Sequence, residues 1–462
     1  MTAPTQAATD EDTATEAAGR RPLLLLLGFG ILWLLAAGVL AFASAIQLHT
    51  PDFFADCPVF THGHAVALAE SAWVYGWVGN AGLALAVWIL VRLAGEPLRA
   101  GNMVVIGALA WNAGLFIGLV GIATGDATGL PMLELPRYAL PLMLTAYGAV
   151  GVSGVLAWAG RRRSIMFASH WYAVAALFLF PWLFSAAQVM LLWVPVRGVL
   201  QAVADGWYAQ GLWSLWLAPL ALAGAYYVVP KITGRLIPSY EAASLGFWCL
   251  VFVGPWTGGR HLIGGPVPAW ISSIAIVAAV TLLFHYLIVL INLRASFGGK
   301  SVALRFIGIG LAAYVLGGVV DAATSMRGVA ALVQFTYFDG AQQQLALSGG
   351  ISLMIYGTLY FAVPRLAGRA WASGSLIRGH LVLAVLGLVL LVVSLAGAGI
   401  VQGQALNDAA VAFPRIAERT RSWLMGATAA EGILLLGNLL LAANFVQTVA
   451  CRRSAAKEAI AS

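Results

Sequence analysis

Twelve times along this chain an apolar run recurs that is long enough to cross a lipid bilayer, and nothing else in the sequence limits its fold so strongly. The runs lie near 22–48, 62–93, 101–124, 136–160, 167–195, 207–230, 240–257, 268–293, 303–324, 341–366, 378–401 and 423–450. A hydrocarbon layer of ~30 Å takes about 20 helical residues. In lipid every backbone amide must be satisfied within the protein, which leaves helices or a closed barrel. Runs of this length without strict alternation are helices. With 61% hydrophobic and 9% charged residues over 462 positions, the chain carries more apolar surface than one soluble core can hide. The expected fold is all-α: a polytopic membrane protein of twelve transmembrane helices. The seventh run is short and ends in Gly254-Pro255-Trp256-Thr257-Gly258-Gly259, a Gly/Pro interruption near the membrane surface.

The residues outside the runs give the organisation. Residues 1–20 are rich in Thr, Ala, Asp and Glu without apolar periodicity and read as a disordered cytoplasmic tail. Arg20 and Arg21 then precede the first run, which is too long for the apolar core of a signal peptide and reads as a retained helix. Residues 21–452 form a single transmembrane domain, and 453–462 a second cytoplasmic tail. No internal repeat suggests a transporter of two similar halves. With both termini inside, 18 of the 25 Lys and Arg fall on the inner side. These include Arg161-Arg162-Arg163 and Arg452-Arg453. The outer side holds Arg137, Arg197, Arg260, Arg327, Arg415, Arg419 and Arg421. The asymmetry predicts cytoplasmic termini. The net charge of +7 therefore reflects loops facing the cytoplasm, not nucleic acid, and the partner that composition names is the bilayer. Cys57, Cys249 and Cys451 lie too far apart for a disulfide framework or a metal motif.

A family resemblance begins at Trp207-Tyr208-Ala209-Gln210 and runs without a gap to Tyr226-Tyr227-Val228-Val229-Pro230-Lys231. It continues through Ser239-Tyr240, Phe247-Trp248, Arg260-His261-Leu262, Pro268-Ala269-Trp270 and Asn292. Arg305-Phe306, Gly340 to Val363-Pro364-Arg365-Leu366, His380 and Gly399-Ile400-Val401-Gln402-Gly403 extend it. The stretch 165–450 resembles the catalytic subunit of cbb-type cytochrome c oxidases, within the haem-copper oxidase subunit I superfamily, which implies that family's helix bundle. It also implies where the family's chemistry would sit. One copper-ligating histidine opens the sixth helix, and a pair follows the seventh. An HxH element opens the tenth helix, its residues two apart pointing ~200° apart towards two haems. A histidine early in the second helix completes the low-spin haem, and a tyrosine lies in the seventh.

In this sequence those positions carry other residues. The sixth-helix copper position is Gln210, the copper pair is Arg260 and His261, the HxH positions are Gln342 and Gln344, and the tyrosine position is Gly254. Both His62 and His64 stand at the second-helix position, with His64 the preferred match by local context. A Gln amide has no basic nitrogen and is a poor ligand beside imidazole. Arg stays protonated and repels Cu²⁺. The reading is a site whose copper and oxygen chemistry is gone, with no copper and at most a residual haem at His62 or His64. His285 and His380 read as hydrogen-bonded bundle residues. Gln342-Gln343-Gln344 reads as a polar helix start or as a hydrogen-bonded plug, in which Arg260 would reach Gln210.

Three carboxylates interrupt apolar helices: Glu70, Asp321 and Glu431. At that depth a charge is costly, so such residues face the bundle interior, pair, or stay protonated. They are candidates for a proton path or quinol pocket, or for internal ion pairs. Three functions remain open. One is a non-catalytic subunit or scaffold of a respiratory complex, docking other subunits or a periplasmic electron-transfer protein. The second is a haem enzyme, oxidase-like or quinol-linked, with unusual ligands. The third is a proton or small-solute channel or transporter through the vacated cavities. The resemblance places the chain in a bacterial-type inner membrane.

Overall fold

The computed structural model describes residues 4–162 and 165–450, with side chains described from residue 18 onward. Among the described residues there is no strand. The helices are α1 (Pro4–His49), α2 (His62–Ala94), α3 (Gly101–Ala123), α4 (Leu140–Ala159), α5 (Ala168–Trp193) and α6 (Val199–Thr233), followed by α7 (Tyr240–Val253). The second half holds α8 (Ala269–Ser296), α9 (Val302–Thr324), α10 (Tyr337–Ala367), α11 (Gly374–Leu406) and α12 (Phe413–Ala450). Eleven of these are long and apolar enough to span a membrane. The other, α7, has 14 residues and continues as a 3₁₀ segment, Gly254–Leu262. The chain is a multi-pass membrane protein with the expected bundle.

One expectation needs correcting at the amino end. Residues 1–20 read as a disordered tail, yet the backbone of α1 is already helical from Pro4. Once the apolar run has nucleated a helix, each added residue costs little, and Ala and Glu extend it well. Residues 1–3 and the carboxyl tail 453–462, with Arg163 of the basic run and the Arg452-Arg453 pair, lie outside the described residues.

Three helices form the centre. The most apolar window of α2 is wholly buried, and those of α6 and α10 are 94% and 89% buried, against 33% to 61% for the other spans. They share a design. Each ends on a glycine in the left-handed region, Gly95, Gly234 and Gly368, which closes the helix without a Cβ clash. Each carries a cation in its last turn, Arg92, Lys231 and Arg365, against the negative end of the helix dipole. Each also widens into a π-helical stretch: Ala72–Val78 in α2, Trp213–Leu217 in α6 and Leu345–Ser352 in α10. Such stretches turn the residues before them relative to those after, and they gather at functional sites.

Hydroxyl caps set the starts of four helices. Thr61 Oγ1 accepts from the His64 amide (3.4 Å) at α2, and Ser239 Oγ from Ala242 (3.1 Å) at α7. Thr336 Oγ1 accepts from Phe338 (3.2 Å) at α10, and Ser373 Oγ from Leu376 (3.3 Å) at α11. Within the bundle, Trp33 of α1, Asn80 of α2 and Asn112 of α3 form one network. Trp33 Nε1 donates to Asn112 Oδ1 at 2.6 Å, and the two amides exchange bonds at 2.8 and 3.1 Å. Side-chain bonds of this kind tie membrane helices together where no hydrophobic force does.

Candidate functional site

The starts of α2, α6 and α10 gather at one end of the bundle with the segment Gly254–Leu262 and the end of α9. Two cavities open there. The Arg260 cavity, about 520 Å³, lies between α6, Gly254–Leu262, α8, α9 and α10. The Glu431 cavity, about 440 Å³, lies between α1, α2, α10, α11 and α12. Both fall in the size range of sites for small organic ligands. Glu70 of α2 and Gln343 of α10 line both and form the wall between them.

In the Arg260 cavity the guanidinium pairs with the Asp321 carboxylate of α9, and the two side chains are only 12% and 17% exposed. Gln342 Nε2 donates to the same Asp321 oxygen at 2.8 Å, and Thr324 Oγ1 donates to Gln342 Oε1 at 3.2 Å. Arg260 Nε donates to His261 Nε2 at 3.3 Å, and Gln334 Nε2 to the His261 carbonyl at 2.7 Å. A continuous polar network therefore joins Gly254–Leu262 to α9 and α10. Burial lowers the Arg260 guanidinium to about 10, opposed by the charge of Asp339, so it remains a cation at neutral pH.

Gln210 lines this cavity, but among the described residues its side chain makes no hydrogen bond, and its backbone carbonyl accepts from Ser214 Oγ at 2.8 Å. The expected Arg260–Gln210 pair is thus corrected: the cation goes to the carboxylate. A charge-assisted bond to Asp321 outcompetes an amide oxygen.

Gly254 faces Ser214 of α6. A Cβ built on it would lie 2.7 Å from Ser214 Oγ and closer still to Ser214 Cβ, so no larger side chain fits there without movement. Gly258 meets Gly206 of α6 in the same way, backbone against backbone. These two contacts seat the segment on α6.

Gln342 faces the Arg260 cavity and Gln344 the Glu431 cavity, as residues two apart on a helix should. Between them Gln343 Nε2 donates to Glu70 Oε1 at 3.1 Å, which ties α10 to α2. Gln344 Oε1 accepts from Ser348 Oγ at 2.6 Å within its own helix. All three glutamines are bonded, so the plug reading describes them better than a solvated helix start.

Of the two second-helix histidines, His62 lines the Glu431 cavity. His64 lines neither cavity, and its buried Nδ1 has no partner among the described residues. Both histidines thus stand at the start of α2, His62 on a cavity wall and His64 half-buried beside it. His285 and His380 are bundle residues as expected: His285 Nδ1 meets the Gly246 carbonyl at 2.8 Å and its Nε2 meets Tyr314 Oη at 3.0 Å. His380 Nδ1 meets Tyr360 Oη at 2.8 Å.

Three carboxylates escaped the sequence reading, and one of them, Asp205 of α6, lines the Arg260 cavity with a buried Oδ1 that has no partner among the described residues. Glu134, in the loop between α3 and α4, is 8% exposed and accepts from Ser71 Oγ at 3.2 Å. Burial and then the charge of Glu70 push its carboxyl well above the usual range. Its flanks, Leu133 and Leu135, were the available signal, since a loop carboxylate between leucines is rarely solvated. Asp339, at the start of α10, lines the Arg260 cavity and accepts from the Phe335 amide at 2.8 Å. No group of three or more metal-ligating His, Cys, Asp or Glu is gathered anywhere among the described residues.

Comparison with known proteins gives a consistent picture. The family model described as cytochrome c and quinol oxidase polypeptide I matches residues 21–434. The chain is 25% identical over 454 residues to the cbb3-type cytochrome c oxidase subunit CcoN1 of Stutzerimonas stutzeri, covering 93% of this chain and 95% of that protein. It is 26% identical over 477 residues to cytochrome c oxidase subunit 1 of Rhodobacter capsulatus, covering 94% and 85%. A solved haem-copper terminal oxidase dimer superposes on 96% of this chain and 84% of its own, with a TM-score of 0.66 at 14% identity.

Proposed function

The chain belongs to the cytochrome c and quinol oxidase polypeptide I family, and from that premise we propose that it is a non-catalytic member, a subunit or scaffold of a respiratory electron-transfer assembly that keeps the bundle and not the oxygen chemistry. The observation that carries this is the ion pair of Arg260 with Asp321, bridged to Gln342. In the resemblance described above, Arg260 and Gln342 stand at metal-ligand positions. Here they act as cross-links between elements. A cation at the copper position opposes Cu²⁺ by charge, and it uses the nearest carboxylate as its own partner.

The remaining donors do not fit copper either. Gln210 and Gln342 offer amides, and His261 is the one imidazole lining that cavity. Copper sites of this kind need several soft or imidazole nitrogens. Gly254, packed on Ser214, leaves no space for a tyrosine. We assign no reaction step to this cavity. The basic asymmetry supports a bacterial-type membrane with both termini on its cytoplasmic side, the side that would then carry the cationic last turns of α2, α6 and α10.

A second reading has one observation in its favour. His62 faces the Glu431 cavity with Gln344 across it, so a haem held by a single imidazole would find one ligand there. A bis-imidazole haem would not.

Mild-detergent purification from native membranes tests the proposal. The scaffold reading expects other respiratory subunits to co-purify in fixed ratio, and oxygen uptake to be unchanged when Arg260 is replaced. A chain that purifies alone, or loses oxygen uptake on Arg260→Ala, contradicts it.

A further inference from the structure

Glu431 sits in the middle of α12 and lines the cavity named after it. Among the described residues it makes no hydrogen bond and no ion pair. Glu70, across the same cavity, has Gln343. A carboxyl at membrane depth is costly unless something meets it, and here the space in front of it is open instead of filled. Among the described residues no Lys or Arg lines the cavity, so its carboxyls face no fixed cation there, and His62 is the one imidazole on its walls. The remainder is mostly apolar, contributed largely by α1, α11 and α12, with the rings of Trp73, Tyr337 and Tyr356; its other polar groups, among them Gln343, Gln344 and Asn438, are neutral.

We propose that the Glu431 cavity binds a lipophilic organic cation, such as an ammonium or phosphonium with apolar substituents, whose charge is met by Glu431 and whose substituents fill the apolar and aromatic walls. Each wall supplies one part of that preference. The unpartnered carboxyl selects positive charge. The aromatic faces add cation–π attraction, which strengthens where water is excluded. The apolar helices supply the hydrophobic contribution in a space of about 440 Å³. The Arg260 cavity differs in holding a fixed cation, Arg260, which is paired with Asp321.

The inference rests on the reading that no bis-imidazole haem fills this cavity. Equilibrium dialysis of the detergent-purified full chain against radiolabelled tetraphenylphosphonium tests it. Saturable binding near one per chain is expected, with Glu431→Gln at least tenfold weaker and Glu431→Asp intermediate. Glu418→Gln, on the exposed start of α12, should bind as the parent does. Triphenylphosphine oxide, a neutral relative of the probe, should compete at least tenfold more weakly. Absence of saturable binding, equal competition by the neutral compound, or unchanged affinity in Glu431→Gln overturns the proposal. Thermal melting of Glu431→Gln shows that the variant is folded, and the Asp variant carries the test if it is not. An absorbance spectrum of the same sample separates the two layers. A Soret band overturns the parent reading and this one with it, whereas a haem-free chain that fails to bind overturns this one alone.

Discussion

At the scale of single residues, the pair Arg260–Asp321 decides the character of the site. Both partners are more than four-fifths buried, and removing one side of a buried pair strands the other charge. Arg260→Ala and Asp321→Ala should each destabilise the protein by about 3–5 kcal/mol. The double variant should cost clearly less than the sum, because the stranded charge is gone in it. Denaturant or thermal unfolding in micelles measures all three. Additive losses would mean that the two side chains act independently. The sequence announced both residues as anomalies but not as partners: Gln210 was named for Arg260 by its place in the copper set. Pairing depends on how Gly254–Leu262 lies against α9, which no local pattern encodes. Glu134 gives a pH test. Its folded carboxyl is raised above the unfolded value, so its contribution is fully present below about pH 4.3 and is lost as pH rises through the folded value. The melting temperature should therefore fall with rising pH over that window, and Glu134→Gln should flatten the slope. An identical slope in the variant would assign the pH dependence to other groups.

At the scale of elements, each apolar run falls on one of α1 to α12, eleven of them long enough to span a membrane among the described residues, and the differences are systematic. α6, α10, α11 and α12 start at Val199, Tyr337, Gly374 and Phe413, ahead of the runs at 207, 341, 378 and 423. Hydropathy senses the hydrocarbon layer, whereas a helix continues into polar residues while its hydrogen bonds persist. In α12 that extension holds an Arg415–Glu418 pair at 3.5 Å, one turn apart. The π-helical stretches were invisible to periodicity, because they change the turn without changing composition. They carry a prediction. Deleting one residue within Leu345–Ser352 would rotate the start of α10 by about 100°, drawing Gln342 from Asp321 and Gln343 from Glu70. The loss of stability should exceed that of Gln343→Ala, which removes one interhelical bond worth about 0.6–1.7 kcal/mol. Equal losses would mean that the register of α10 does not position the network.

At the scale of the whole molecule, the family fold was legible because many short matches occur in order, and the longest of them fall on α6 and α10, two of the most buried helices. The proposed topology rests on charge and makes its own prediction. In a Cys57→Ser background, cysteines placed at Pro51 and Ala410 should react with an impermeant reagent from outside, and one at Gly160 should not. The opposite pattern would invert the molecule and place the Arg260 end in the cytoplasm. What the sequence concealed at this scale is the set of bonds between these elements, made by Arg260, Asp321, Gln342, Gln343 and Glu70; in the proposed reading they take the place of metal. The most direct measurement is the carbon monoxide difference spectrum of the purified chain, read with its copper content. The account predicts no high-spin haem signal and well under one copper per chain. One copper per chain, with a carbon monoxide-sensitive haem and oxygen uptake, would contradict it.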